Sequence, residues 1–190
     1  MIIKKQNYLK HAIVLFLLLL LMAWAAYENV EFSSLTNHDG LTNSQVGAIL
    51  KDTRGYIWFG TQSGLCRFDG FRMKTFYYIN TDDKSLPNNS VDELQQDYGG
   101  NIWVHTSVGY CIYKYDEEQF ERKPEEWLKN IHVQGPPYKL LIDKDKNMWI
   151  AVYGQGLYYH NAKTKNTYLF KFTKKAQPGC LKDGNISKIT

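Results

Sequence analysis

The stretch Asp52–Leu65 reads DTRGYIWFGTQSGL, and two later stretches share its design. Asp97–Tyr110 reads DYGGNIWVHTSVGY, and Asp143–Leu157 reads DKDKNMWIAVYGQGL. In each copy a Trp lies six residues after the Asp, and successive copies of this Trp are 45 and 46 residues apart. Self-similarity at a nearly fixed period of this length indicates a repeat architecture.

Each position of this motif suits a structural role. The Asp carboxylate can cap the backbone N–H groups of the turn that follows it, and a Gly in that turn can adopt a positive φ. A Trp on an inner strand can fill the wedge between neighbouring sheets and bury a large apolar area. The predicted motif residues are Asp52, Gly55, Trp58, Gly64, Asp97, Gly100, Trp103, Gly109, Asp143, Trp149 and Gly156.

The spacing of turns predicts about four short strands in each unit of about 45 residues, which is typical of a β-propeller blade. We therefore predict an all-β fold of four-stranded antiparallel blades. The repeats span about 36–80, 81–130 and 131–178, and 179–190 begin a fourth. The segment Pro124–Ile131, PEEWLKNI, is predicted to form no more than a short helical turn.

Three blades and the start of a fourth make an incomplete ring, because propellers have roughly four to eight blades. An open array would expose strand edges and apolar faces. We therefore expect residues 26–190 to be a partial propeller from a longer protein, and we expect this segment not to fold well alone.

The first 25 residues have the features of a Sec-type signal peptide. Three lysines, Lys4, Lys5 and Lys10, precede the apolar run 12–22, AIVLFLLLLLM, and the small residues Ala23 and Ala25 follow in AWA at 23–25. Cleavage after Ala25 or Ala26 is predicted. An uncleaved anchor is the alternative, although the run is short for a spanning helix of about 20 residues. In either case the rest of the chain is expected to be exported.

Charge and cysteine content argue against two classes of function. Removing the three N-terminal lysines lowers the formal charge from +4 to +1, which gives no electrostatic basis for binding nucleic acid. The chain has three cysteines, an odd number that argues against a full disulfide framework, and their spacing supports no metal site. Cys66 and Cys111 each lie eight residues after the motif Trp and are predicted to be equivalent core residues.

The sequence contains no recognisable catalytic or cofactor-binding motif. GxSxG, HExxH, P-loop and dinucleotide-binding patterns are absent, and neighbouring carboxylates on a strand would point to opposite faces. Asp143, Asp145 and Asn147 have calcium-loop spacing, but Met148 and Gly154 replace two residues that such a loop requires. We predict no catalytic residues, no metal and no cofactor, and this fragment is predicted not to be an enzyme.

Ligand recognition is the function that these observations leave. Oligosaccharides bind through aromatic stacking and polar side chains, and Tyr153 and Gln155, in the turn after the third Trp strand, are the predicted ligand-binding residues. His160 is expected to lie at the surface or at a blade edge. The wider supply of aromatic residues consists of Tyr77, Tyr78, Trp127, Tyr138, Tyr153, Tyr158 and Tyr159.

The first repeat, Leu35–Phe76, resembles the opening blade of the two-component regulator propeller family. The matching residues are Asp39, Gly40, Leu41, Val46, Ile49, Asp52, Gly55, Ile57, Trp58, Gly60, Thr61, Gly64 and Leu65. The later repeats depart from this pattern. His105 replaces a Gly and Tyr110 replaces a Leu, while Lys146 occupies the turn Gly position, so Asn147 is expected to adopt the left-handed conformation instead.

The resemblance implies the N-terminal, periplasmic sensor segment of a Bacteroidetes-type hybrid two-component histidine kinase. It further implies an oligosaccharide ligand, more propeller blades and a membrane-anchored kinase in the full-length chain, and a homodimer. This segment would contact no nucleic acid itself. Two alternatives remain open, namely a secreted propeller enzyme acting on polysaccharide and a scaffold propeller that binds proteins.

Overall fold

A computed structural model of the protein describes residues 13–18, 34–171 and residue 186. Most of the predicted signal peptide, most of the predicted start of a fourth repeat, and Cys180 lie outside these residues. Residues 13–18 are helical, and the compact unit that begins at Leu35 contains the strands. No helix within the described ranges is both long enough and apolar enough to cross a membrane.

Three four-stranded antiparallel sheets follow one another along the chain, and in each the strands pair in sequence order. The predicted fold class of four-stranded antiparallel blades is therefore confirmed. Blade 1 contains β1 (Val46–Lys51), β2 (Ile57–Thr61), β3 (Gly64–Phe68) and β4 (Met73–Phe76). Blade 2 contains β5 (Val91–Gln96), β6 (Ile102–Thr106), β7 (Gly109–Lys114) and β8 (Gln119–Glu121). Blade 3 contains β9 (Pro137–Ile142), β10 (Met148–Val152), β11 (Gly156–His160) and β12 (Thr167–Lys171).

The first strands of the three blades lie side by side, β1 against β5 and β5 against β9. They are therefore the inner strands of the array, and β4, β8 and β12 are the outer ones. A 3-10 helix, Asn37–Asp39, precedes blade 1, and a helix, Pro124–Lys129, connects blades 2 and 3. This second helix matches the short helical turn predicted for the segment.

The Asp of each motif organises the turn between the first two strands of its blade. Asp52 Oδ1 accepts hydrogen bonds from the backbone N–H groups of Arg54, at 2.9 Å, and Tyr56, at 3.0 Å. Its Oδ2 accepts from Trp58 Nε1 at 2.7 Å. Blade 2 repeats the arrangement, because Trp103 Nε1 lies 3.0 Å from Asp97 Oδ2. The carboxylate thus ties the turn to the Trp six residues later.

The same turn in blade 3 corrects one prediction. Lys146 itself adopts the left-handed conformation, with φ 65°, at the position where Gly55 has φ 92°. Asn147 was expected to take over that conformation, and this prediction was wrong. The Asn147 amide is used differently, since Nδ2 donates to Asp143 Oδ2 at 3.0 Å and Oδ1 accepts from the Ala162 backbone at 3.0 Å.

Two of the three motif Trp rings fill the spaces between blades. Trp58 is fully buried against blade 2, where its ring centroid lies 5.1 Å from that of Tyr113. Trp103 is buried against blade 3, and Trp127 of the connecting helix packs on it edge-on at 5.3 Å. Trp149 is half-buried on the opposite face of blade 3, beside Tyr159 at 4.5 Å.

Cys66 and Cys111 are both fully buried at equivalent positions of β3 and β7, as their spacing predicted. Burial raises the pKa of the Cys111 thiol. Both cysteines act as small core residues within their blades.

Candidate functional site

The loops that join the second and third strands of the blades lie at one end of the array, which we call the hairpin-loop face. In blade 1 the loop has two residues, Gln62 and Ser63, because Thr61 pairs with Gly64. Blade 2 has the same loop length. In blade 3, Val152 pairs with Gly156, so the loop has one additional residue and consists of 153–155. Gly154 within it has φ 72°, and a side chain would be strained there.

A second irregularity occurs in the inner strand of every blade. Each inner strand has a β-bulge near the hairpin-loop face, and the extra residues are Gly47, Asp92 and Tyr138. A bulge re-aims the side chain of the extra residue, and bulges are common beside functional sites. The bulge position therefore differs in each blade. It has no side chain in blade 1, a carboxylate in blade 2 and an aromatic ring in blade 3.

The longer loop and the bulge of blade 3 meet in an aromatic pair. Tyr153 is 70% exposed, and its ring stacks on that of Tyr138 with centroids 4.1 Å apart and planes inclined by 24°. The backbone N–H of Ile186 donates to the Tyr138 hydroxyl at 2.9 Å. This aromatic pair presents a flat apolar surface with hydroxyl groups at its edge, a combination suited to an amphipathic ligand.

Gln155, on the other side of the same loop, lines an open pocket of about 600 Å³ at the junction of blade 3 and the segment that leads into it. This volume is within the range of roughly 300–1,000 Å³ that small-molecule pockets span. We call it the junction pocket. Its polar lining consists of His132, Gln134, Gln155, Tyr158, Thr167 and Lys171.

Hydrogen bonds fix the orientation of the Gln155 amide. Its Oε1 accepts from the Tyr158 hydroxyl, and its Nε2 donates to the Gln134 backbone carbonyl at 2.8 Å. His132 nearby has a left-handed backbone, with φ 62°. The pocket wall is therefore held in one arrangement by contacts between the loop, β11 and the segment that enters blade 3.

A charged cluster lies on the inner strands β5 and β9 and on β6, and we call its residues Asp92, Glu93, His105 and Lys139 the channel rim. Asp92 Oδ1 lies 2.7 Å from His105 Nδ1, and Glu93 Oε1 accepts from Lys139 Nζ. Glu93 Oε2 accepts from the Tyr110 hydroxyl at 3.0 Å. Burial, together with the Glu93 charge, raises the pKa of Tyr110, so this hydroxyl stays a donor.

His160 is 1% exposed, so the prediction of a surface or blade-edge position was wrong. The Thr167 hydroxyl donates to the Ile131 carbonyl at 2.6 Å, and its oxygen lies 2.8 Å from His160 Nδ1. His160 Nδ1 is therefore the protonated nitrogen of the ring. Burial lowers the pKa of His160, and the Lys165 charge adds to this effect, so the ring is neutral and structural.

The carboxylate of Asp143, which has calcium-loop spacing in the sequence, is occupied by its own turn. The Asp145 and Asn147 backbones donate to Oδ1, both at 2.9 Å. Burial alone would raise the pKa of Asp143, but these hydrogen bonds and that from the Asn147 amide outweigh it and lower the pKa. Among the described residues, no three His, Cys, Asp or Glu side chains are grouped as metal ligands.

Sequence reasoning named some of these residues and missed others. Tyr153 and Gln155 were predicted together as ligand-binding residues. In the structure Tyr153 belongs to the aromatic pair, whereas Gln155 lines the junction pocket. Tyr138 was among the aromatic candidates, but the bulge that aims it at Tyr153 has no signal in one sequence. The longer loop did have a signal, because Gly156 follows its Trp by one residue more than Gly64 does.

Residues 40–63 match the family model "Two component regulator propeller". The resemblance of the first repeat to this family is thereby confirmed. Histidine kinase P4 of Formosa agariphila is 38% identical over 74 residues, which are 39% of this chain and 5% of that protein. The chain thus spans a small part of this relative's length.

Two solved structures from B. thetaiotaomicron are similar to this chain, and both are described as extracellular domains of hybrid two component systems. The first has a TM-score of 0.52 and 24% identity, over 73% of this chain and 20% of that one. The second has a TM-score of 0.42 and 17% identity, over 76% of this chain and 27% of that one. The first similarity shows a shared fold.

Proposed function

We propose that this chain is the exported sensor segment of a two-component signal transduction protein and that it binds an oligosaccharide. The observation that carries the proposal is the departure of blade 3 from the repeat at the hairpin-loop face. There an additional loop residue and a bulge combine to expose the Tyr138–Tyr153 pair beside a polar pocket. Loops held by a rigid scaffold are where binding residues concentrate.

The comparisons support the location and class of the protein. A relative is named a histidine kinase, and the solved structure with a TM-score of 0.52 is described as the extracellular domain of a hybrid two component system. The fragment resembles a sensor propeller rather than a catalytic domain. A signal peptide at 1–25 would export it to the periplasmic side of the inner membrane. Further blades and a membrane-anchored kinase would complete the chain.

Signalling would then follow from differential binding. A ligand shifts an equilibrium between two domain arrangements only to the extent that it binds one of them more tightly. In the proposed homodimer, the oligosaccharide would favour one arrangement of the exported domains, and a membrane helix would transmit the change.

The aromatic pair provides the first test. The complete protein should be titrated calorimetrically with a panel of oligosaccharides, and the best ligand should be repeated with Tyr153→Ala. Loss of the exposed ring should weaken binding about tenfold, which corresponds to about 1.4 kcal/mol. Phe71→Ala is the matched control, because Phe71 is 94% exposed in the β3–β4 turn and outside the site.

Three results would contradict the proposal. Equal affinity of the wild type and Tyr153→Ala would exclude the aromatic pair from the site. Absence of binding across the panel would favour a protein-binding scaffold. Release of shorter saccharides during the titration would favour a propeller enzyme.

A further inference from the structure

The junction pocket and the channel rim lie on the same face of the array but differ in charge. The pocket lining includes Lys171 and His132, and within the described part of the chain no Asp or Glu lines it. The rim contains two carboxylates, Asp92 and Glu93, and its one lysine is paired with Glu93. An anionic ligand group is therefore attracted towards the pocket and repelled by the rim.

Two groups of the pocket, the Gln155 amide and the Lys171 ammonium group, have hydrogen-bond donors for a ligand. The carbonyl oxygen of the Gln155 side chain is already used by Tyr158, whereas its amide retains a second N–H. The Thr167 hydroxyl donates to Ile131, so that group is directed away from a ligand. The ammonium group of Lys171 has three donors and no acceptor. A group rich in acceptor oxygens complements such a wall better than a neutral hydroxyl does.

Lys171 is close to the loop that carries Tyr153 and Gln155. Lys171 on β12 pairs with Gly156 on β11, and Gly156 is the residue directly after the loop 153–155. A methyl group on Gly156 would lie 3.2 Å from the Lys171 Cα, which shows how close the two backbones are. The Lys171 backbone is thus adjacent to the end of this loop, and the Lys171 side chain lines the same pocket as Gln155.

We propose that the junction pocket binds an anionic group, a carboxylate or a sulfate ester, on the oligosaccharide ligand, with Lys171 as its main partner. This inference rests on the proposed function, because it names the chemical class of the sugar that the same site would take. Charge-assisted hydrogen bonds of this kind are about twice as strong as neutral ones. Lys171 is thus the specificity-determining residue of the site.

Two matched pairs of saccharides test the charge directly. The complete protein is titrated with a uronic acid disaccharide and its carboxyl-reduced form, and with a sulfated disaccharide and its desulfated form. At least one charged member should bind tenfold or more tightly than its neutral partner. The difference should shrink when the salt concentration rises from about 0.05 M to about 0.5 M, because the site is open to solvent.

Lys171→Gln should lower the affinity for the charged saccharide to that of its neutral partner and leave the neutral affinity unchanged. Lys163→Gln is the control, because Lys163 is an exposed lysine in the turn at the other end of β11 and β12. It should change neither affinity. Hydrogen exchange of β11 and β12 amides in both variants verifies that blade 3 remains folded.

Several outcomes overturn the proposal. Equal affinity for the charged and neutral members of both pairs, or an equal loss for both in Lys171→Gln, excludes an anion contact at this pocket. If neither pair binds but an uncharged oligosaccharide does, in a manner sensitive to Tyr153→Ala, the anionic class is wrong and the proposed function stands. If no saccharide binds at all, both fail.

Discussion

Blades 1 and 3 form the same hairpin between their second and third strands, yet they close it differently. In blade 1 the Thr61 hydroxyl donates to the Gly64 carbonyl at 2.9 Å, and the loop has two residues. In blade 3 Val152 has no hydroxyl to do this, and the loop gains a residue. The Tyr158–Gln155 hydrogen bond holds the longer loop instead.

This difference shows which part of the blade the fold requires, the Asp-capped turn, and which part can vary, the hairpin loop. The Asp carboxylate caps the turn at the opposite end in all three blades, because without it backbone N–H groups would lack partners. The hairpin loop has no such obligation, since its residues reach solvent. Function can therefore vary at the hairpin-loop face without disturbing the blade beneath it.

The largest expected effect comes from the motif Trp residues. Trp58→Ala should lower the free energy of local unfolding by about 3–5 kcal/mol, because the ring is fully buried between blades 1 and 2. Hydrogen exchange of the β5–β7 amides in the complete protein measures this loss. Trp149 is half-buried at the far face of blade 3, and the proposed next blade would cover it.

Trp149→Ala extends the comparison of blades 1 and 3 to their motif Trp residues. If a further blade packs on blade 3 in the complete protein, this variant should cost as much as Trp58→Ala. A loss below about half of that value would contradict the proposed fourth blade, since half-exposed side chains contribute less burial. Phe71→Ala, at an exposed aromatic residue outside the core, should leave both measurements unchanged.

The fold was predictable because its determinants are local and repeated. The spacing from Asp52 to Trp58 reflects one hydrogen-bonded turn, and three copies of it reveal both the period and the blade. The turn residue of blade 3 was not predictable in this way. Lys146 adopts the left-handed conformation because the Asp143 and Asn147 hydrogen bonds fix the turn around it, and these bonds override its own preference.

The candidate site was predictable only in part. Tyr153 and Gln155 stood out because they lie in a turn that departs from the repeat. The junction pocket depends on residues from 132 to 171, which only the folded chain brings together. Likewise, the position of Tyr138 depends on a bulge, and a bulge is a property of two paired strands rather than of one stretch of sequence.

A second, smaller effect is expected at Gly60, where blade 1 has no side chain and blade 2 has a large one. A methyl group on Gly60 would lie 2.6 Å from Val91 Cγ1 of the next blade, whereas blade 2 has His105 at the equivalent position. Gly60→Ala should therefore destabilise the contact between blades 1 and 2 by about 1–3 kcal/mol. Urea unfolding of the complete protein, followed at β1 and β5 amides, measures the change.

The cause of this loss can be isolated with a compensating variant. Val91→Ala removes the methyl groups that crowd position 60, so the double variant should be more stable than the sum of the single losses predicts. A coupling of about 0.5–3 kcal/mol is typical of residues in contact. Strict additivity of the two stability losses would show that Gly60 is required for its backbone conformation and not because a side chain would contact Val91.

The smallest effect concerns the left-handed residue of the Asp turn, where blade 1 has Gly55 and blade 3 has Lys146. An L-residue in this conformation costs about 1–2 kcal/mol. Gly avoids this cost, but the gain is only partial because Gly loses about 0.5–1 kcal/mol more backbone entropy on folding. Lys146 Nζ also donates to the Gln96 carbonyl at 3.1 Å, so Lys146→Gly alone would mix two effects.

Lys146→Met removes the ammonium group but keeps the strained backbone, and it is therefore the proper reference. Lys146→Gly should be more stable than Lys146→Met by about 0.5–1 kcal/mol in urea unfolding. Gly55→Ala should be less stable than the wild type by about 1 kcal/mol, since its side chain would meet no atom within 4 Å and only the backbone would be strained. Equal stability of the two Lys146 variants would mean that the Asp143 hydrogen bonds, rather than the residue at position 146, set the energy of the turn.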